Sequence, residues 1–169
     1  ATTRFDQSTV AAIDISRTSL AYAARKAREL DVSNISFIQS DILNLTPDKG
    51  NFDIIECVGV LHHMEDPVHG WKILKNLLKP GGFMKIGLYS QLARLHIAAA
   101  RTFIEENNFL STPDGIRACR QAIFDLPVNS PLKKLTTCGD FYSLSTTRDL
   151  IFHVQEHLFT IPEISTIIE

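Results

Sequence analysis

Residues 52–82 constrain the fold of this chain more than any other stretch. They read FDIIECVGVLHHMEDP, then a helix-length segment, then LKPGG. The apolar run 52–60 has the length and the β-branched content of a strand. It ends in a turn that holds Gly59 and two histidines, His62 and His63. A helix is predicted from Asp66-Pro67 to Leu78, with Pro67 suited to its first turn. Pro80-Gly81-Gly82 then reads as a turn into another strand, 83–89. Strand, loop, helix and second strand make a βαβ unit. Open α/β sheets take their ligands at the carboxyl edge, where such a loop sits.

The residues before this unit continue the pattern. Residues 9–15 (TVAAIDI) form a short apolar run that suits a strand buried on both faces of a parallel sheet. Ser16 is the expected N-cap of a helix over 20–30 (LAYAARKAREL), which is rich in strong helix formers. A second strand covers 34–38 and leads to Gln39-Ser40-Asp41. A helical turn around 42–45 carries the crossover, and Pro47 and Gly50 mark a loop over 44–51.

Beyond Ser90 the character changes. Helices are expected over 92–107 and 115–124, separated by loop signals. Residues 140–157 begin as a loop and turn helical around Thr146, capped by Ser145 or Thr146. A last helix starts at Pro162.

A length of 169 residues suits about one domain. Apolar residues at 44% and charged residues at 21% are globular values and exclude a disordered chain. The net charge of −2 gives no bulk attraction for nucleic acid or an anionic membrane. No apolar run approaches the ~18 residues that span a bilayer. The three cysteines, Cys57, Cys119 and Cys138, include no CxxC pair. They indicate a reducing compartment and a cytoplasmic protein. The N-terminus has neither a signal-peptide core nor an initiator methionine, so a fragment or trimmed domain is expected.

Two acids end consecutive strands. Asp14 is placed to accept hydrogen bonds from a ribose diol, or to stabilise the next helix through its dipole. Asp41 can accept from an exocyclic amine while Ile42 packs on a purine face, or it can cap the following turn. His62 and His63 are candidate general bases, since imidazole titrates near neutrality. Their alternative role is to cap the next helix. His153, Glu156 and His157 spell H-x-x-E-H, a zinc pattern if helical, with the two histidines on one face. The remaining acids downstream are Glu163 and Glu169. A lid or substrate-pocket role for this segment is the favoured reading.

Asp14-Ile15-Ser16, Ser40-Asp41-Ile42-Leu43, Phe52-Asp53-Ile54-Ile55, Val60-Leu61-His62-His63-Met64 and Leu78-Lys79-Pro80-Gly81-Gly82 together resemble the class I S-adenosylmethionine-dependent methyltransferases. The match covers residues 9–89, roughly half the chain. It implies an α/β fold with a Rossmann-like, doubly wound sheet. Residues 1–90 would form part of the cofactor-binding core, and 91–169 a helical and extended part of the same domain on the substrate side. It also implies S-adenosylmethionine as cofactor. Asp14 would bind its ribose hydroxyls, with Ile15 also cofactor-binding, and Asp41 and Ile42 would hold its adenine. The backbone of Cys57-Val58-Gly59 would contact its methionine part. Later segments, Gly87-Leu88-Tyr89-Ser90, Phe141 to Ser145, Arg148-Asp149-Leu150 and Phe152 to His157, look like methyltransferase domains of bacterial proteins with tandem helical (TPR) repeats. Any TPR segments would lie elsewhere in the parent protein.

The chain departs from this family in one respect. Its eight glycines, at 50, 59, 70, 81, 82, 87, 115 and 139, form no GxGxG loop. The expectation is a sheet truncated at its N-terminus, lacking its first strand and that loop, with Arg4-Phe5 as the tail of the helix that follows. Such a loop lets backbone approach a cofactor closely, so the fragment alone is expected to bind poorly and be inactive. The expected reaction is methyl transfer to an unidentified small molecule or protein, without nucleic acid or membrane as partner. The alternatives are a non-catalytic, methyltransferase-like interaction module and, more remotely, a zinc hydrolase.

Overall fold

The computed structural model describes residues 7–46, 51–153 and 155–168. The expected helix tail at Arg4-Phe5, the turn residues Pro47 and Gly50, and Glu169 lie outside them. The chain divides into two compact units. Unit 1 comprises Ala1–Glu56 and Val68–Lys85, and unit 2 comprises Cys57–Pro67 and Ile86–Glu169.

In unit 1, strand β1 (Val10–Asp14) pairs in parallel with β2 (Ile35–Gln39), Val10 opposite Ile35 and Asp14 opposite Gln39. Parallel neighbours need a crossover, and helix α1 (Arg17–Glu29) supplies it. Ser16 caps α1 as the sequence predicts, its side chain accepting from the Ser19 N–H at 3.2 Å. Lys26 and Arg28 occupy the last turn, where the helix dipole favours cations. Asp31 then takes a left-handed φ of 53° and releases the chain toward β2.

Strand β3 (Phe52–Val58) and strand β4 (Leu78–Gly87) make a second pair, linked through helix α2 (Pro67–Leu77). Gly82 lies against the Asp53 carbonyl and Gly87 against Val58, so the two strands advance in the same direction. The expected turn at Pro80-Gly81-Gly82 is instead part of β4. Pairing starts as soon as the helix ends, where the Asn51 N–H donates to the Leu77 carbonyl at 3.0 Å. Gly81 accommodates this with φ +78°.

The expectation that residues 9–15 are buried on both faces is not met. All of β1 is half-buried, and α1 buries no residue completely. Among the described residues β1 has one strand neighbour, β2, and no strand joins their pair to β3–β4. A strand with a single neighbour keeps an open edge and part of its surface in water.

Unit 2 is mainly helical. It contains α3 (Leu95–Glu106), α4 (Pro113–Asp125), α5 (Leu144–Ile151) and α6 (Ile161–Ile168). Two 3-10 segments, Pro131–Thr137 and Gly139–Phe141, cross between α4 and α5. Ile97, Ile104, Ile123, Leu135, Phe141 and Ile151 form the heart of its core. The buried Thr147 hydroxyl donates within α5's first turns, 2.8 Å from the Phe141 carbonyl and 2.7 Å from that of Ser143. The cap of α5 is Ser143 and not Ser145 or Thr146. Its Oγ accepts from the Thr146 N–H at 3.2 Å, which sets the helix start two residues earlier. A short parallel pair completes unit 2, β5 (Tyr89–Ser90) with β6 (Leu158–Phe159).

Candidate functional site

The pairing of β1 with β2 brings two of the predicted acids to one sheet edge in unit 1. Asp14 is the last residue of β1, and Asp41 follows β2 by two positions. The Asp14 Oδ1 accepts from the Ser16 N–H at 2.8 Å, which orients its carboxylate at the entrance of α1. The Asp41 Oδ1 accepts from the Leu43 N–H at 2.9 Å and caps the 3-10 turn Ile42–Asn44. Asp41 therefore does the capping that its alternative reading describes, whereas Asp14 bonds the residue that caps α1 and does not cap the helix itself. Each uses only one carboxylate oxygen for its bond and keeps the other as an acceptor. Beside them, Ile15 is exposed and Ile42 half-buried.

The other predicted residues lie in unit 2, around the end of β3. Cys57 is buried, and burial pushes its thiol up against a smaller opposing contribution from the Leu61 backbone. Such a thiol is inert. Val58 is exposed, and Gly59 has φ +79° with open space where a Cβ would stand. That conformation leaves the turn's backbone approachable.

After Gly59 the chain forms a 3-10 turn, Leu61–His63. His62 is 1% exposed and stacks on Tyr89 with ring centroids 3.8 Å apart. Neither of its ring nitrogens has a partner at hydrogen-bonding geometry. Burial first, and the neighbouring His63 second, push its pKa down to about 4, although the Gly87 backbone opposes this slightly. His62 is therefore neutral at ordinary pH.

His63 is held differently. Its Nδ1 lies 3.0 Å from the Gln155 carbonyl oxygen. A carbonyl only accepts, so Nδ1 carries the proton and Nε2 presents a lone pair. The His63 ring stacks on His153 at 4.0 Å and meets His62 edge-on at 4.3 Å. Neither histidine caps α2. Both are fastened instead to the segment before β6. The His157 N–H donates to the His62 carbonyl at 2.7 Å, and the Gln155 side-chain amide donates to the Met64 carbonyl at 3.0 Å.

That segment is pinned by a buried ion pair. Arg94 forks onto Glu156, Nε to Oε1 at 2.9 Å and an Nη to Oε2 at 2.6 Å. Arg101 adds a bond to Oε2 at 2.9 Å. The Glu156 side chain is 1% exposed. Burial alone would raise its pKa. The bonds and charges of Arg94 and Arg101 outweigh that and hold it below the usual carboxylate value. The Arg94 guanidinium also lies 3.6 Å over the Tyr89 ring, on which His62 stacks.

The zinc reading of H-x-x-E-H does not survive this geometry. Helix α5 ends at Ile151, so His153 and His157 do not share a helix face. Glu156 is committed to two arginines, and the His153 Nδ1 accepts from the Gln155 N–H at 3.2 Å. Glu163 closes a reciprocal cap with Thr160 at the start of α6, with bonds of 2.7 and 3.4 Å. Among the described residues no group of three potential ligands gathers.

Sequence reasoning missed Tyr89, Arg94, Arg101, Gln155 and Glu156 as members of one cluster. Arg94 and Glu156 are 62 positions apart, His63 and Gln155 are 92. No local periodicity encodes such pairs. The one available signal was the density of polar and aromatic residues in 152–157, on a segment flanked by apolar ones.

Comparison with known proteins agrees with this architecture. The family Methyltransf_31, described as a methyltransferase domain, matches residues 1–134. The uncharacterized protein syc1184_c of Synechococcus sp. is 33% identical over 147 residues, covering 85% of this chain and 35% of that protein. The ubiquinone biosynthesis O-methyltransferase of Coxiella burnetii is 40% identical over 73 residues, 43% of this chain and 31% of that enzyme. The structure of PKMT2 from Rickettsia typhi in complex with AdoHcy superposes with a TM-score of 0.74 at 16% identity, covering 98% of this chain and 34% of that one. At that identity the likeness is one of fold. The chain spans about a third of the length of these relatives.

Proposed function

The chain belongs to the methyltransferase-domain family, and from that membership we propose that its parent protein transfers the methyl group of S-adenosylmethionine to an acceptor. The observation that carries the proposal is the edge of the β1–β2 pair. There Asp14 and Asp41 close two parallel neighbours, each with one carboxylate oxygen left to accept from a ligand. This donor set fits a nucleoside. Asp14 would accept from the two ribose hydroxyls, with Ile15 beside it. Asp41 would accept from the adenine amine, with Ile42 against the ring face. By the resemblance to the family, the backbone of Cys57-Val58-Gly59 would meet the methionine part.

The cofactor, when bound, supplies a methyl group activated by its sulfonium charge. The protein's contribution is to align the acceptor's lone pair with that methyl carbon and to exclude water, effects worth several powers of ten in rate. The acceptor is a small molecule or a protein. No helix of the described residues is long and apolar enough to cross a membrane, and we propose a cytoplasmic setting. Since the 169 residues hold no GxGxG loop, we propose that a longer parent chain completes the cofactor's surroundings.

Calorimetry with S-adenosylhomocysteine tests this reading on the full-length protein. Hydrogen bonds to charged groups are worth roughly 1.5–3 kcal/mol, so Asp14→Asn and Asp41→Asn are each expected to weaken binding about tenfold or more. Unchanged affinity in both variants would overturn the assignment of this edge.

A further inference from the structure

The two histidines after β3 are chemically unequal, and the structure separates them. His62 is buried, stacked on Tyr89 and without a hydrogen-bond partner on either ring nitrogen. His63 is half-buried, with Nδ1–H committed to the Gln155 carbonyl and Nε2 left as a lone pair. A base is poised for proton transfer when one ring nitrogen is fixed as a donor and the other is free to accept.

The fixing is done from far away in the sequence. Gln155 and His157 both grip the 61–64 turn, and Glu156 between them is locked by Arg94 and Arg101. Arg94 in turn covers the face of Tyr89, and His62 stacks on Tyr89. The contacts close a ring: the turn holds the segment, the segment holds Glu156, and Arg94 returns to the turn through Tyr89. The groups facing the His63 ring are His62, His153 and Tyr89, at centroid distances of 4.3, 4.0 and 5.9 Å. Glu156, Arg94, Arg101 and His157 stand behind them in the same ring of contacts.

We propose that His63 is the proton acceptor of the methyl transfer, and that Glu156 is the positioning residue that presents its Nε2 through the 155–157 segment. The inference rests on the methyl-transfer reading above. In the step, the acceptor's heteroatom forms a bond to the methyl carbon as the carbon–sulfur bond breaks. The sulfur keeps that electron pair and loses its positive charge. The proton on the acceptor's heteroatom passes to Nε2 of His63, and the resulting imidazolium is stabilised by its Nδ1–H bond to Gln155. It returns the proton to solvent after release.

The test is label transfer from methyl-tritiated S-adenosylmethionine into an extract of the cell that makes the protein, catalysed by the full-length enzyme. His63→Asn keeps a side-chain nitrogen to donate to Gln155 and lacks Nε2. General-base contributions are typically 10²–10⁴-fold. Transfer is therefore expected to fall at least about 100-fold at pH 7.5, with S-adenosylhomocysteine affinity within twofold of wild type.

Glu156→Gln should lower the rate and leave cofactor affinity intact, and Glu156→Asp should recover part of it. If Glu156→Gln does not fold, the partial loss in Glu156→Asp carries the same reading. Nitrogen-15 NMR on histidine-labelled protein reads the tautomer without any acceptor: His63 should carry its proton on Nδ1 at pH 7.5. A proton on Nε2, or transfer by His63→Asn within threefold of wild type, would overturn the proposal alone. Absence of both transfer and cofactor binding in wild type would overturn the methyl-transfer reading and this proposal with it.

Discussion

The strands of unit 1 and the helical core of unit 2 bury their apolar residues to very different degrees. Ile15 and Phe83 in unit 1 are 68% and 76% exposed, whereas Phe141 in unit 2 is 0% exposed. Helix α2 is the part of unit 1 that buries a face, through Trp71, Ile73, Leu74 and Leu77. The best-buried ion pairs among the described residues also lie in unit 2. The Lys79–Asp53 pair of unit 1 is open to water, while Glu156 of unit 2 is shut between two arginines. Unit 1 is thus defined by backbone pairing and the two acids at its edge. Unit 2 holds side chains in fixed geometry through packing. A proton-handling group needs the second kind of environment, because its orientation and protonation are set by neighbours that cannot move aside.

The sharpest way to break this contrast is to remove one phenylalanine from each unit. Phe141 stands between Phe124 and Tyr142, at ring distances of 5.5 and 6.0 Å. Truncating a fully buried phenylalanine costs about 3–5 kcal/mol. Phe141→Ala is expected to lower unfolding stability by about 4 kcal/mol, and Phe83→Ala by under about 1. Denaturant melts would measure both. Similar losses would mean that Phe83 is covered in solution and that unit 1 is as closely packed as unit 2.

The same division explains what the sequence revealed. Local signals were readable wherever a residue acts on its immediate neighbours. Ser16 caps α1, Pro67 opens α2, and alternating strands and helices mark 9–60 as α/β. The acids Asp14 and Asp41 were singled out because strand ends are where such sheets bind ligands, and pairing sets them on one edge. The burial of β1 was overestimated because an apolar run does not say how many neighbours it will have. H-x-x-E-H was misleading because a spacing of four has meaning only on a helix, and α5 stops at Ile151. The inequality of His62 and His63 was invisible, since it is created by Tyr89 on one side and Gln155 on the other.

Acid should distinguish the units next. His62 titrates near its ordinary 6.5 in the unfolded chain and only at about 4 in the folded one. Between these values the unfolded chain binds a proton that the folded chain refuses, so stability falls as pH drops through this window. The loss is roughly 2 kcal/mol by pH 5 by that linkage and is absent above pH 7. Amide exchange at pH 7 and pH 5 should show it first in the 57–67 turn and the 155–159 segment of unit 2. His62→Phe keeps an aromatic face against Tyr89 and should flatten the pH dependence. An unchanged slope in that variant would assign the acid sensitivity to other groups.

Two glycines offer the finest comparison, because their backbones match and their locations do not. Gly59 in unit 2 has φ +79° and Gly81 in unit 1 has φ +78°, and at neither would a Cβ meet another atom within 4 Å. An alanine at either site costs only backbone strain, about 1 kcal/mol. Asparagine tolerates the left-handed region better and should cost less. Stability therefore treats the two sites alike. Function should not, because the proposed cofactor contact runs through the backbone at Gly59 and none is proposed at Gly81. Gly59→Ala is expected to weaken S-adenosylhomocysteine binding several-fold in calorimetry, with Gly81→Ala unchanged. Equal affinities would leave Gly59 with a conformational duty alone and would move the methionine-side contact away from the turn after β3.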